Sequence, residues 1–372
     1  MLYDAGDINY SSSELLSGSL NSLFEERKNQ FLKACKKQKI TLDKIIKSIS
    51  KWKSAKIIVI GDSIIDQYAA CEAIGLSAEA PVVVVKELKS KKFIGGAAIV
   101  AAHIASLGAK CEFISVTGND SEKEFLSEEL KGYGIGLNLN IDTMRPTTFK
   151  KRYVVDNQKL FRVSRFEDHS INKFLENKII DKLEKLAPNS QSIVISDFVY
   201  GVITENIINK VKFLSKKYNL KIFGDLQCSS QVGQITKFQE FSMLCPNERE
   251  ARIAINEKDV GLEAISQKLI KVTNTERLLM KLGSNGFIVY DRDRYGNLVS
   301  QYFPALSVNP LDVTGAGDSV LAAMAVGISC DESTMTTSAI AAFMASISVE
   351  QMGNTPINEK ALIKKIQEFF NA

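Results

Sequence analysis

The sequence predicts an α/β fold: a doubly wound, mostly parallel sheet flanked by helices, with a small β lid. Three observations predict it. From residue 56 onward short β-rich runs alternate with helical patterns, the order that builds a parallel sheet with helices on both sides. The runs are apolar throughout rather than alternating, as strands covered on both faces are. Two early segments break this rhythm with alternating polar and β-branched residues, which suits strands that leave the central sheet. With 372 residues, 45% apolar and 24% charged, the chain can bury one large core or two modest ones, and a disordered or fibrous protein is excluded.

Taken in order, residues 1–21 are rich in Ser, Asn and Gly and read as a flexible lead. Ser22 and Glu25 form an S-x-x-E capping box ahead of a helix from about 23 to 38. Thr41 caps a second helix, in which Leu42, Ile45, Ile46, Ile49 and Trp52 mark one apolar stripe opposite lysines. Residues 1–53 are therefore a flexible lead and basic helical extension that docks on the main body or on a partner. Residues 54–372 form the main domain. Its strands are KIIVI (56–60), CEFISV (111–116), SIVIS (192–196), KIFGD (221–225), FSMLC (241–245) and RLLMKL (277–282). Helices fall between them at about 96–107, 121–132, 172–187, 204–218, 247–255 and 261–273. Lid strands lie within about 68–93 and 146–165, around PVVVVKEL and FKKRYVVD. After a hairpin of FIVYD (287–291) and VSQYF (299–303) the chain is helical, at 315–328, 334–350 and 358–370, with the Ala, Met, Ile and Ser of buried helices.

The formal charge of +4 sits wholly in residues 1–53, which hold ten Lys+Arg against six Asp+Glu; residues 54–372 carry 37 of each. That balance argues against a nucleic-acid partner. The start lacks a basic run followed by an apolar one, and no stretch of 18 apolar residues occurs, so a cytoplasmic protein with no membrane partner is expected. The six cysteines are scattered without a CxxC pair and read as reduced, structural thiols.

The most informative stretch is Asp312-Val-Thr-Gly-Ala-Gly-Asp318, which opens a helix of small residues. Glycines at 315 and 317 allow a tight turn, and the first amides of the helix then face an anion, favoured by the helix dipole. Asp318 is either a capping charge or a base that takes a proton from a hydroxyl attacking that anion. Asp62 and Asp66 follow the first strand, where open α/β sheets bind ligands; they suit polyol hydroxyls, or serve as a turn aspartate and a helix cap. Gly95 and Gly96 open the next helix. His103 lies on an Ala-rich helix, packed in the core or facing an acceptor, and His169 reads as solvated.

TGAGD on a late helix, GD-x-x-x-D after the first strand, GGAA on the next helix and Asn247-x-x-Glu250 together resemble the ribokinase-like (PfkB) carbohydrate kinase family, over about 54–355. Within it, Ser77–Pro81, the run Gly95–Gly108, and Pro146–Lys150 through Asn157-Gln158 to Arg162 most resemble the heptose-phosphate kinase module of ADP-heptose biosynthesis; the nucleotidyltransferase module of that pathway has no counterpart. The resemblance implies an ATP-dependent kinase for a hydroxyl of a sugar or sugar phosphate. Asp318 would be the base, and the amides of Gly315, Ala316 and Gly317 an anion hole for the transferring phosphoryl group. Asn247 and Glu250 would position Mg²⁺ through water; Lys281, Gly283, Ser284 and Gly286 would run beside the nucleotide phosphates. Asp62, Asp66, Gly95, Gly96, Ile99, Lys150 and Arg162 would belong to the acceptor pocket, with the lid closing over it. Asp312 and Thr314 would hold K⁺, as they stand where some members of the family hold a monovalent cation, and a homodimer would form through the lid.

The departures matter equally. Family members usually carry Asn at the position of Ile99, and heptose kinases tend to have basic residues where Gly75, Tyr200 and Gln227 stand and Asn where His103 stands. Each lost charge-assisted bond is worth roughly 1.5–3 kcal/mol. The transfer machinery is complete while the acceptor pocket is altered. Two alternatives follow: the same fold acting on a nucleoside, polyol or vitamin-like alcohol, and a non-catalytic nucleotide or sugar sensor whose N-terminal helices engage a partner.

Overall fold

A computed structural model describes residues 12–156, 158–228 and 231–371. The elements in chain order are α1 Ser12–Lys37, α2 Leu42–Lys51, β1 Lys56–Gly61, β2 Ser63–Leu76, β3 Val83–Gly96, α3 Ala97–Ser106, β4 Lys110–Thr117, α4 Ser121–Lys131, β5 Gly136–Ile141, β6 Thr148–Val155 and β7 Gln158–Arg165. They continue with α5 Lys173–Leu186, β8 Ser192–Asp197, α6 Glu205–Tyr218, β9 Lys221–Leu226, β10 Met243–Leu244, α7 Glu248–Ile255, α8 Leu262–Thr273, β11 Arg277–Lys281, β12 Phe287–Arg292, β13 Leu298–Phe303, α9 Ala316–Ser329, α10 Thr334–Val349 and α11 Glu359–Asn371.

Among the described residues, nine strands pair in the order β13-β12-β11-β10-β9-β8-β1-β4-β5, all parallel from β11 to β5, with β12 and β13 antiparallel at one edge. Because side chains alternate across a strand, each apolar run feeds two cores. Ile57, Val59, Phe113 and Val194 face α3, α9, α10 and α11, while Ile58, Ile60, Ile193 and Ile195 face α5 to α8. This is the doubly wound arrangement the run pattern predicts. A second sheet, β3-β2-β6-β7, stands off the first as the lid.

Three expectations on elements are corrected. The helix expected to start near residue 23 begins at Ser12, so Ser22 and Glu25 lie inside α1 and do not cap it; the first eleven residues of the expected lead, like Asn157, lie outside the described residues. Ser and Asn cost only a few tenths of a kcal/mol each in a helix already nucleated downstream. The strand expected at 241–245 shrinks to β10, although Ser242 and Cys245 still donate backbone hydrogen bonds to Ile222 and Gly224. β5 was not expected at all: its Leu-Asn-Leu-Asn-Ile alternation suits an edge strand rather than a doubly covered one.

The amphipathic extension docks on the main body. Phe31 of α1 is fully buried, with ring centroids 5.2 Å from Phe343 and 5.4 Å from Phe369. Ile45, Ile49 and Trp52 are buried with it, which uses the predicted stripe. Lys51–Glu332 and Lys53–Glu359 ion pairs, at 2.6 and 3.0 Å, flank the contact. Among the described residues no helix is long and apolar enough to cross a membrane, and all six cysteines are free.

Candidate active site

The C-terminal ends of the parallel strands, the lid and the start of α9 enclose a cavity of about 590 Å³, within the range of small-molecule sites. One end is polar, walled by Asp66, Lys150, Arg152 and Arg162 from the lid together with Gln227, Asn354 and Asp318. The other is apolar, walled by Phe287, Pro304, Leu306, Val308 and Val349. Gly315, Ala316 and Gly317 also line it.

Gly315 has φ 82°, and a Cβ there would sit 2.2 Å from Asn354 Oδ1, so only glycine makes this turn. The turn aims the first amides of α9 at the cavity; that of Ala316 reaches Val313 O only at 3.5 Å. Asp318 follows in the first turn, 6% exposed. Burial, and then the nearby Asp225 carboxylate, push its pKa up to about 8, against the opposing pull of Lys281. The Gln227 side-chain amide donates to Asp318 at 3.4 Å and to Asp225 at 2.9 Å.

Lys281 ends β11 and reaches both oxygens of the fully buried Asp225, at 2.8 and 3.0 Å. Burial opposes its charge, but the Asp225 and Glu250 carboxylates outweigh that and hold the ammonium pKa above its ordinary value. Its Nζ lies 3.3 Å from where a Cβ on Gly317 would be, so the lysine abuts the amide turn. Asn247 and Glu250 form a reciprocal capping box on α7, each side chain accepting the other's N–H at 2.8 Å. Glu250 also accepts from the Cys228 amide at 3.2 Å, so both of its oxygens are engaged, and among the described residues no three acid, His or Cys side chains converge on a metal position. Asn247 lines the cavity; Glu250 is buried behind it.

The expected acceptor residues divide. Asp66 faces the cavity and accepts from Arg152 and, at 3.2 Å, from the Asn354 amide; Gly95 leaves it room, since a Cβ there would come within 2.5 Å of its carboxylate. Lys150 Nζ stands 5.5 and 5.3 Å over the rings of Phe198 and Tyr200. Gly96, the N-cap residue of α3, and Arg162 also line the cavity. Asp62 does not. Its carboxylate accepts the N–H groups of Phe198, Tyr200 and Val202, at 2.7, 3.4 and 3.4 Å, and so fixes the loop after β8, where Val199 holds a left-handed φ of 63° unusual for a β-branched residue. Ile99 is wholly buried in the core under the sheet, away from the cavity. His103 is a core histidine whose Nδ1 accepts the Ile357 N–H at 3.2 Å, and burial lowers its pKa to about 3. His169 is half exposed.

Asp312 is 3% exposed and accepts four hydrogen bonds: from Lys159 (2.6 Å) and the Thr314 amide (3.0 Å) on one oxygen, from Tyr68 (2.6 Å) and the Gly353 amide (3.2 Å) on the other. Burial works against its charge, yet these donors, Lys159 foremost, hold its pKa down to about 2.

Several residues of the site carry no local signal in the sequence. Arg27 of α1 reaches the cavity wall and donates to Ser284 O at 3.0 Å and Ser307 O at 2.6 Å, tying together the loops after β11 and β13 beside Gly283 and Gly286. Asn354, Arg152 and Lys159 also converge from remote segments. Asp225 is visible only as a lone acid ending a buried strand.

The family model for pfkB family carbohydrate kinases matches residues 54–361. Among curated proteins, the chain is 32% identical over 273 residues to a protein named bifunctional protein HldE from Campylobacter jejuni subsp. doylei, covering 73% of this chain and 56% of the relative. It is 32% identical over 288 residues to the protein of that name from Helicobacter hepaticus, covering 75% and 57%. The chain thus spans little more than half the length of these relatives. Among solved structures it is similar to Arabidopsis thaliana ribokinase complexed with ribose and ATP, with TM-score 0.65, 22% identity, and 84% and 99% of the two chains covered. It is likewise similar to Escherichia coli phosphofructokinase-2 in complex with substrates and products, with TM-score 0.69, 15% identity, and 85% and 99% covered.

Proposed function

Because the chain belongs to the pfkB family of carbohydrate kinases, we propose that it transfers the γ-phosphoryl group of ATP to a hydroxyl of a sugar phosphate of the heptose-phosphate class. The observation that carries this reading is Asp318, buried in the first turn of α9 at the polar end of the cavity, beside the turn of Gly315 to Gly317. A base placed there reaches a hydroxyl at the polar end. The amides of Gly315, Ala316 and Gly317 then stabilise the charge that develops on the phosphoryl group.

The apolar end suits the nucleotide base, and Lys281, beside Gly317, suits its phosphates. Mg²⁺ would travel with those phosphates, neutralise their charge and meet Asn247 and Glu250 through water, since Glu250 is buried behind Asn247 with each oxygen already accepting an amide. Arg27 would hold the nucleotide end in shape. Arg27→Ala is expected to weaken binding of a non-hydrolysable ATP analogue about tenfold, measured by calorimetry, with acceptor KM unchanged.

At the acceptor end Lys150, Arg152 and Arg162 favour an anionic acceptor over a neutral nucleoside or vitamin-like alcohol. The Ile99 departure weighs less than its position suggests, because that side chain faces the core. The lid leaves Ile74, Leu76, Val83 and Leu88 exposed, which supports a second copy covering that face.

The test is ADP release across a panel of sugar phosphates, their dephosphorylated forms, nucleosides and polyols. A sugar phosphate should exceed its neutral form by at least about tenfold in kcat/KM, the effect of one charge-assisted contact. Preference for a neutral acceptor would replace the substrate class, and ATP binding without turnover on any acceptor would make the protein a sensor.

A further inference from the structure

We infer that the ammonium group of Lys159 stands in for a monovalent cation at Asp312 and Thr314, so that phosphoryl transfer by this protein needs no potassium. The inference rests on the kinase reading for its activity measurement and on the geometry alone for its binding measurement.

A K⁺ site at this point would need hard oxygen ligands around one buried negative charge. The oxygens are present, but they are spent. Lys159 Nζ lies 2.6 Å from Asp312 Oδ1 and 3.0 Å from Thr314 Oγ1. Tyr68 covers the same pair, its hydroxyl 2.6 Å from Asp312 Oδ2 and 3.2 Å from Thr314 Oγ1, while its ring lies 5.6 Å from the ammonium. Asp312 is thereby neutralised by one full positive charge and saturated by four donors, which is what a buried carboxylate requires. A second cation would have to displace the lysine or sit beside it against like charge. An ammonium with three donors supplies the same unit charge as K⁺.

The placement gives the charge a task. Thr314 directly precedes Gly315, so a cation here fixes the turn that aims the α9 amides. Lys159 and Tyr68 come from lid strands β7 and β2, so it is the lid that supplies the charge bracing this turn.

The test compares wild type and Lys159→Ala in potassium, ammonium, sodium and tetramethylammonium chloride at equal ionic strength, by ATP turnover and, without nucleotide or acceptor, by thermal denaturation. Wild type is expected to be indifferent to the cation in both. Lys159→Ala is expected to lose about tenfold or more in rate in sodium or tetramethylammonium, to recover with potassium or ammonium, and to gain Tm in those two ions alone. Potassium activation or stabilisation of wild type overturns the inference. So does a Lys159→Ala protein that is fully active without potassium, or one that neither ion rescues. Where that variant does not fold, Lys159→Gln is read in the same two assays. If turnover is absent in wild type on every acceptor, the kinase reading fails while the thermal comparison still decides the cation.

Discussion

Asp318→Asn is expected to lower kcat by roughly 10²–10⁴-fold, the range that a positioned base supplies, while the protein folds as before. The wild-type pH profile should show the reason. Only the carboxylate can take the acceptor proton, so kcat/KM should rise with pH toward a midpoint at about 8, a limb absent from the variant. Stability supplies an independent check on the same group. Its folded pKa is raised from an ordinary value near 3.9, so the stability it contributes is complete below that pH and is lost as pH rises through about 8. Asn carries no charge to bury, so the variant should melt like wild type at pH 4 and above it at pH 8.5. Lost activity in a variant that is more stable than wild type in alkali cannot come from damage to the fold. Calorimetric melts and turnover at both pH values measure this. An Asn variant that turns over normally would make Asp318 the helix cap that the sequence also permits.

The parts of this fold that were legible in the sequence are those whose burial is uniform. KIIVI and SIVIS lie under helices on both faces and cannot be polar anywhere, so they read as strands at once. β5 hid because an edge strand may alternate, and the first turns of α1 hid because Ser and Asn are weak signals against a helix rather than prohibitions. The site shows the same division. Gly315 to Asp318 are local: two glycines, a small-residue helix and an acid in its first turn define a geometry by themselves. Asp62 and Ile99 have legible positions but illegible directions. Asp62 turns from the cavity because three amides of a strained loop compete for it, and nothing near residue 62 announces residues 198–202. Arg27, Arg152 and Asn354 reach the cavity from three remote segments, each as a single side chain without a pattern. The basic extension, legible as amphipathic helices, gave no sign that its single arginine would reach the cavity wall.

Lys281→Met is expected to cost about 3–5 kcal/mol of stability, as removing one partner of a buried ion pair does, because Asp225 would remain wholly buried with, among the described residues, the Gln227 amide as its side-chain donor. Asp318 should respond as well. Lys281 pulls its pKa down, so the limb of the pH profile should move to higher pH in the variant. The double variant Lys281→Met, Asp225→Asn separates two roles that the single change confounds. With the orphaned charge gone, most of the lost stability should return, since an apolar and amide pair has little to desolvate. Nucleotide affinity should not return if Lys281 also meets the phosphates, and calorimetric titration with a non-hydrolysable ATP analogue measures that directly. A Met variant that melts like wild type would show that the Asp225 charge is neutralised in another way. A double variant that binds the analogue as tightly as wild type would confine Lys281 to holding Asp225 and leave the phosphates to the α9 amides and Mg²⁺.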